Sequence, residues 1–430
     1  MAAESGGRRG SAASNADNNN QNHLTPDLLA LISTVTIDTS AFLAQNDLNL
    51  LPSQTLALES LISSTSRSLT LLNSTTTLYP PPIDCWFNRF LNETSSDDDA
   101  SWTDSFRMSK RSFSILLKLL TPSLQPLFQS PPPNYILAAA IYRLAHGADY
   151  ESVGRRFGMD AEEACRAFFV VCKLVHAKLG NLFEFQSDMK RITMGFLWMG
   201  LPNCCGVLGM ERFEVSGKLF GENGAVMLQA VVDSEGRFVD VSAGWPTSME
   251  VWTILRQTKL YAAVEERELL DGEYHVLSDG MSVSQYLLGD SCFPLLPWLL
   301  TPYVRNNEED SFSSKETAFN AAHARGIELA RTAFARVKTR WRLLAKQWKE
   351  ESVEYLPFVI VTGCILHNFL IKCNEYFPDD ENAVHWVKEE AVCDVEEIES
   401  AHRIRDTLAS HFSLEVDICM NWSIRIWMPC

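Results

Sequence analysis

The sequence predicts an α/β domain preceded by an all-α region of helix-turn-helix type. Three observations predict it. Between residues 102 and 179 apolar residues recur at helical spacing, and a glycine-containing turn separates two such runs. From about Gly206 the period shifts toward two, and Val226 to Asp233 with Arg237 to Ser242 reads as a hairpin across Ser234-Glu235-Gly236. Residues 317–349 and 359–372 then return to helical spacing. Strands first and helices after, with acids at strand ends, describe a central mixed sheet covered by helices.

At 430 residues the chain has room for about two or three domains and a sizeable core. A hydrophobic content of 46% with 21% charged residues is that of a globular protein. The net charge of −17 argues against a protein that coats nucleic acid through its overall field. The eleven cysteines are scattered and form no C-x-x-C pair, so no zinc site is expected and the thiols read as reduced and intracellular. No stretch reaches the roughly 18–20 apolar residues of a membrane span, and the N-terminus lacks the apolar segment of a secretory signal.

Taken in order, residues 1–23 are rich in Ala, Ser, Gly and Asn and are expected to be disordered. Residues 24–101 read as a helical region and linker. Leu28, Leu29, Ile32, then Leu56, Leu58, Leu61, Ile62, and later Leu69, Leu71 and Leu72 suggest amphipathic helices, which pack on the domain or hold a partner. Pro80-Pro81-Pro82 ends them, and the stretch 95–100 reads as a solvated linker.

Residues 102–180 carry the helix-turn-helix pattern. Phe113, Leu116 and Leu120 mark one helix, residues 135–145 a second, and Gly158 separates a third from a fourth over 161–179. The fourth opens with Asp160, Glu162 and Glu163. Carboxylates suit a helix N-terminus but would meet phosphates in a groove, so a structural bundle is expected rather than direct DNA reading.

Residues 200–375 form the α/β domain. Within it the short apolar strand Tyr286–Gly289 ends in Asp290. An acid at the end of a buried strand is a turn-former, or it is one carboxylate of a metal-dependent phosphoryl-transfer site. Residues 376–430 make an acidic tail, either solvated or docking a basic partner; a last helix is expected over 401–412, and the apolar end is expected to pack on something.

The block Gly289-Asp290, Phe293-Pro294, Pro297-Trp298-Leu299-Leu300-Thr301-Pro302-Tyr303 resembles the signature of the PIF/Harbinger transposase nuclease domain and of plant proteins derived from it. The likeness extends through Leu201-Pro202-Asn203 to Phe213, Gly244-Trp245-Pro246, Asn320-Ala321-Ala322-His323, residues 331–341 and Cys364 to Asn368. It covers roughly residues 102–373. The resemblance implies an RNase H-like fold of the DDE transposase type. It also implies a site in which two strand aspartates and a helix glutamate clamp two divalent ions about 3.5–4 Å apart.

Placed on that pattern, the first aspartate position is Gly209, the second is Asp290, and the helix glutamate position is Ala330. Glu211 lies two residues after Gly209 and points to the same face of a strand, about 6.6–6.8 Å further along, so it is the one substitute ligand in reach. Glu328 is two helical steps from Ala330 and rotated by about 200°. The family's His-Asp pair after Gly-Trp-Pro is Glu250-Val251 here. Asp233, Asp240 and Asp279 stand at strand ends and read first as turn residues. Arg331, Lys338, Arg342, Lys346 and Lys349 are spaced by three, four or seven and would share one face of a continuous helix, either solvated or contacting phosphate or an acidic partner.

The framework residues are present while two reactive positions are changed, which favours a pseudoenzyme. The resemblance implies a domesticated transposase acting as a non-catalytic subunit or adaptor of a nuclear chromatin-regulating complex. Its expected partners are a MYB/SANT- or trihelix-like DNA-binding protein and subunits of Polycomb-repressive or histone-acetyltransferase assemblies. DNA contact would be indirect or weak, with no membrane and no cofactor. The alternative is a divergent nuclease using Mg²⁺ or Mn²⁺ at Asp290, Glu211 and a further acid such as Asp233 or Asp279.

Overall fold

The computed structural model of the chain describes residues 85–94, 99–128, 130–183, 188–216, 224–305, 311–375 and 398–426, together with Val35 and Phe185. The stretch expected to be disordered, the leucine runs of residues 24–72, the three prolines and the acids between 379 and 397 lie outside the described residues.

Six helices make the all-α region: α1 (Trp86–Glu93), α2 (Asp99–Phe106), α3 (Lys110–Leu124), α4 (Pro133–His146), α5 (Tyr150–Phe157) and α6 (Ala161–Leu179). Their starts are set by short polar side chains that satisfy otherwise orphaned N–H groups. Ser109 accepts from Ser112 N, Asp149 from Ser152 N, and Asp160 from Glu163 N. Gly158, at φ 70°, ends α5 in the left-handed region that favours glycine. Asp160 and Glu163, which would meet phosphates in a DNA groove, are engaged with each other in a capping box. Although α1 falls in the stretch 24–101, its Phe87 and Phe90 share one ring cluster with Trp102 and Phe106; Phe90 lies 5.3 Å from Trp102 and Phe87 lies 4.9 Å edge-on to Tyr135.

After α7 (Met189–Trp198) come the long strand β1 (Cys204–Ser216), β2 (Ala225–Val232) and β3 (Phe238–Pro246). Then follow α8 (Val251–Gln257), α9 (Lys259–Glu265), the small hairpin β4 (His275–Val276) and β5 (Ser282–Val283), β6 (Tyr286–Gly289) and β7 (Leu299–Leu300). The sheet order is β3-β2-β1-β6-β7. β1, β2 and β3 are antiparallel neighbours, whereas β6 and β7 run parallel to β1. The hairpin expected across residues 234–236 is present. Every residue of β2 is buried. Because alternate residues point to opposite faces, both faces of the sheet are covered there.

The long helices packed on the sheet are α10 (Ser314–Arg340) and α12 (Leu356–Lys372), which both meet the Phe238 ring, with the short α11 (Arg342–Ala345) and the two-residue β8 (Trp348–Lys349) between them. The basic run of 331–349 therefore does not lie on one helix. α10 stops because Trp341 leaves helical geometry at φ −102°, ψ 78°, is wholly buried, and donates its indole N–H to Gly363 O at 3.2 Å.

By length and composition, the helical segment Val353–Lys372 passes as a membrane span, contrary to the sequence expectation, and 67% of that window is buried inside the fold. Its polar groups show what it does here. Asn368 Oδ1 accepts from Phe238 N at 2.9 Å, and its Nδ2 donates to Phe238 O at 2.6 Å and to Leu182 O at 3.2 Å. His367 Nε2 donates to Gly236 O at 2.9 Å. Two adjacent side chains of α12 thus hold the turn and the first residue of β3. His176 on α6 bonds Phe358 O and Thr362 Oγ1, which joins the helical region to the same helix.

The last helix expected over 401–412 is present as α13 (Glu399–Ile426), lying on α10. Ala401, Leu408, Ala409 and Phe412 are buried, and Tyr303 OH donates to Asp406 Oδ1 at 2.5 Å.

Two predictions come from this packing. Asn368→Ala leaves the buried N–H and C=O of Phe238 without partners, so urea denaturation at pH 7 is expected to show a loss of about 2–4 kcal/mol; a loss under 1 kcal/mol would refute the clamp. Burial lowers the pKa of His176, His323 and His367 from 6.5 to about 4. The unfolded chain then binds protons that the folded chain does not, so this stability is complete above pH 6.5 and is lost as pH falls from 6.5 toward 4. Denaturant midpoints should decline through that window, and His367→Gln should reduce the slope by about one proton.

Candidate functional site

The parallel pairing of β1 with β6 sets Leu208 beside Gly289, which brings Gly209 and Asp290 to adjacent strand positions. Across them runs α10. A Cβ built on Gly209 would stand 3.5 Å from the Cβ of Ala330 and 2.8 Å from Cε2 of Phe334. The three positions singled out from sequence thus converge on one place. What fills the space at Gly209 is an apolar ring: Phe334 is buried and packs 5.5 Å from Phe238. A contact of 2.8 Å is closer than real carbon atoms stand, so Gly209 admits the ring only because it lacks a side chain.

Asp290 is half-buried at the end of β6. Its Oδ1 accepts from Ser291 N at 2.8 Å, and its Oδ2 meets Arg331 Nη2 at 3.3 Å. Arg331 also reaches Glu328, at 4.0 Å. The carbonyl of Gly289 is held by His323 Nε2 at 2.8 Å; because a carbonyl only accepts, Nε2 carries the proton. Burial keeps this ring neutral, with its pKa lowered to about 4.

Glu211 does not turn back toward Asp290. Its carboxylate accepts from Lys338 Nζ, which also donates to Arg212 O at 2.6 Å and lies 5.0 Å from the Phe213 ring centre. Both side chains of the pair are nearly buried, at 13% and 12% exposure. Asp233 is a hairpin residue, as expected: it accepts from Glu235 N, Arg237 N and Arg237 Nε. Asp279 accepts from Met281 N within the β4–β5 turn.

The basic residues are placed as follows. Arg331 faces Asp290, Lys338 faces Glu211, and Lys346 Nζ donates to Gly147 O at 2.7 Å. Arg342 begins α11 and Lys349 ends β8, so they share no face with the α10 residues. Phe334 and the two carboxylate–cation pairs were not foreseen from sequence. An aromatic four residues after Ala330 was the available signal, since i and i+4 share a helix face.

A pair of divalent ions needs several carboxylates converging on them. Here Asp290 and Glu211 each face a fixed cation from α10, and the space at Gly209 holds a phenyl ring. Among the described residues no group of three or more His, Cys, Asp or Glu is arranged to hold a metal ion. The residues present do not fit the two-ion site.

Comparison with known proteins gives the family. A family model described as DDE superfamily endonuclease matches residues 220–368. Protein Antagonist of Like Heterochromatin Protein 1 of Arabidopsis thaliana is 31% identical over 333 residues, covering 70% of this chain and 82% of the relative. The chain belongs to the Harbinger transposase-derived DDE family. Protein ALP1-like of Arabidopsis thaliana is 30% identical over 322 residues, covering 69% of this Harbinger-family chain and 77% of the relative. HARBI1 of Homo sapiens is 27% identical over 294 residues, covering 63% and 78% respectively. No solved structure matches.

The apolar seal of this Harbinger-family site is testable. Gly209→Asp drives a carboxylate into the Phe334 ring and is expected to destabilise the fold by about 3 kcal/mol in urea denaturation. In a double-mutant cycle with Phe334→Ala, the double variant should be more stable than the sum of the single losses by at least about 1 kcal/mol. Simple additivity would show that the two positions do not touch.

Proposed function

We propose that this chain is a nuclease-derived binding protein that works as a non-catalytic subunit or adaptor of a nuclear chromatin-regulating complex. One observation carries the reading. Where the family's chemistry needs three convergent acids, Gly209, Ala330 and Phe334 pack together and the remaining aspartate is paired with Arg331. A site sealed by an aromatic ring activates no water, while the sheet and its covering helices are complete.

The sheet supports an RNase H-like reading of the fold: three antiparallel strands continue into two parallel ones, in the order β3-β2-β1-β6-β7. One relative's name refers to a heterochromatin protein, which favours chromatin over free DNA as the setting. In that setting the DNA-reading role falls to a MYB/SANT- or trihelix-like partner, because α6 opens with acids engaged in capping. The other partners are subunits of Polycomb-repressive or histone-acetyltransferase type, and DNA contact is indirect or weak.

The alternative, a divergent nuclease with Mg²⁺ or Mn²⁺, draws on the likeness to HARBI1, whose printed name includes the word nuclease. It would require Glu211 to leave Lys338 and Asp233 or Asp279 to leave its turn.

The deciding assay incubates the purified chain with single- and double-stranded DNA in Mn²⁺ and in Mg²⁺. No cleavage above buffer is expected, and Asp290→Ala should be indistinguishable from the natural chain. Metal-dependent cleavage that Asp290→Ala abolishes would replace this reading with the nuclease.

A further inference from the structure

We infer that the outer face and open edge of the β4–β5 hairpin dock a basic, extended segment of a partner protein. The inference rests on the reading of this chain as an adaptor, and it adds the surface and the chemistry of a partner.

The hairpin has an inner and an outer face. Leu277, and Val283 paired with His275, fall on one face and are buried. Tyr274 and Val276 fall on the other and are 69% and 67% exposed, while Met281 at the tip is 54% exposed. Asn203 fixes the base of the hairpin: its Nδ2 donates to Glu273 O at 3.1 Å and to Val283 O at 3.0 Å. Ser278 bonds His411 of α13 at 3.2 Å. The apolar pair is thus held outward on an anchored element. An aromatic and a β-branched side chain on one strand face are what a neighbouring strand pairs with.

The backbone beside them is open. β4 and β5 make a two-stranded sheet, and α13 lies beside β5. The N–H of Leu277 points inward, to Met281 O at 2.7 Å. By the alternation of an antiparallel ladder, the N–H and C=O of Val276 therefore point away from β5. An extended chain adds there as a third strand, with main-chain hydrogen bonds to β4 and a side chain against Tyr274 and Val276.

Charge selects the occupant. Residues 265–285 carry six carboxylates against one cation, Arg267. Glu265 is taken by Trp298 Nε1 at 3.1 Å. Glu266, Asp271 and Glu273 are exposed and, among the described residues, in no ion pair. Glu273 adjoins Tyr274 and Asp279 stands at the tip, so carboxylates flank β4 at both ends. A segment with lysine or arginine on either side of an apolar residue matches that order. The net charge of −17 steers such a segment toward the chain. A second copy presents the same carboxylates at the same edge and is repelled, and nucleic-acid phosphates are repelled likewise.

The test places p-benzoylphenylalanine at position 274 of the full chain, where one aromatic side chain replaces another, and maps photo-crosslinks in nuclear extract by mass spectrometry. The expected crosslink is to a segment of another protein with net positive charge. Asp271→Lys/Glu273→Lys should lower its yield by about tenfold or more, and the milder Asp271→Asn/Glu273→Gln by about threefold, with unchanged circular dichroism. A synthetic peptide of the crosslinked segment should bind the natural chain and lose about tenfold in affinity with Tyr274→Ser. N-methylation of alternate peptide residues should abolish binding in one register and spare it in the other, because only alternate N–H groups face β4. Crosslinks to an acidic segment, to nucleic acid, to a second copy or within the same chain, an absence of crosslinks, a yield indifferent to the charge changes, or binding indifferent to N-methylation in both registers would each overturn the proposal. The two readings fail separately. A chain that still migrates in a large complex and cleaves no DNA, but gives no such crosslink, keeps its adaptor role and loses only this surface.

Discussion

The close approach of α10 to the middle of β1 at Gly209 is the constraint on which the rest of the domain depends. Without a side chain at that point the Phe334 ring comes down onto the strand backbone, with Ala330 one turn before it. Ala330, Phe334 and Val337 are small or flat enough to seal this line and are all buried. The same seating brings Arg331 to Asp290 and Lys338 to Glu211. Seven residues separate the two cations, or about two helical turns, so one helix placement satisfies both carboxylates. Had a carboxylate occupied position 209, the helix would stand further off and both ion pairs would lengthen. Chemistry and packing therefore compete for the same few ångströms, and in this chain packing holds them.

The second fixed point is the pair His367-Asn368 on α12. The turn end of the β2–β3 hairpin is governed by side chains from outside it: the carbonyl of Gly236 by His367, and the two backbone groups of Phe238 by Asn368. Phe238 in turn meets Phe334. The two helices that cover the sheet are thus linked through one residue of β3. An apolar helix of this length needs its few polar groups satisfied internally, and Thr362 Oγ1, His367 Nε2 and the Asn368 amide all find partners. That accounts for a segment with the composition of a membrane span serving as the core of a folded domain.

Much of this was legible in the sequence because it is local. The hairpin across residues 234–236 and the strand ending at Asp290 follow from period and turn chemistry, whereas the meeting of positions 209, 290 and 330 was what the family resemblance implied. What was not legible is what non-local side chains do. Lys338 and Glu211 are 127 residues apart, and no spacing rule pairs them. The five cations of residues 331–349 fit one helix face only if the helix continues, and Trp341 ends it by turning into the core toward Gly363. Helical propensity gave no sign of that, because burying an indole outweighs the few tenths of a kcal/mol by which neighbouring residues prefer the helix.

The geometry of α10 also divides the molecule's surfaces by function. Ala330, Phe334 and Val337 face the sheet, Arg331 and Lys338 lie to one side against carboxylates, and Arg325, Thr332 and Arg336 lie on the opposite side beside a cleft at the β2–β3 turn. At 100° per residue these three sets occupy separate sectors of the helix. The inward sector cannot contact a partner without unseating the core. Changes on the side of α10 turned away from the sealed site therefore leave the seal intact, since the residues that fix α10 in place are not the ones beside the cleft.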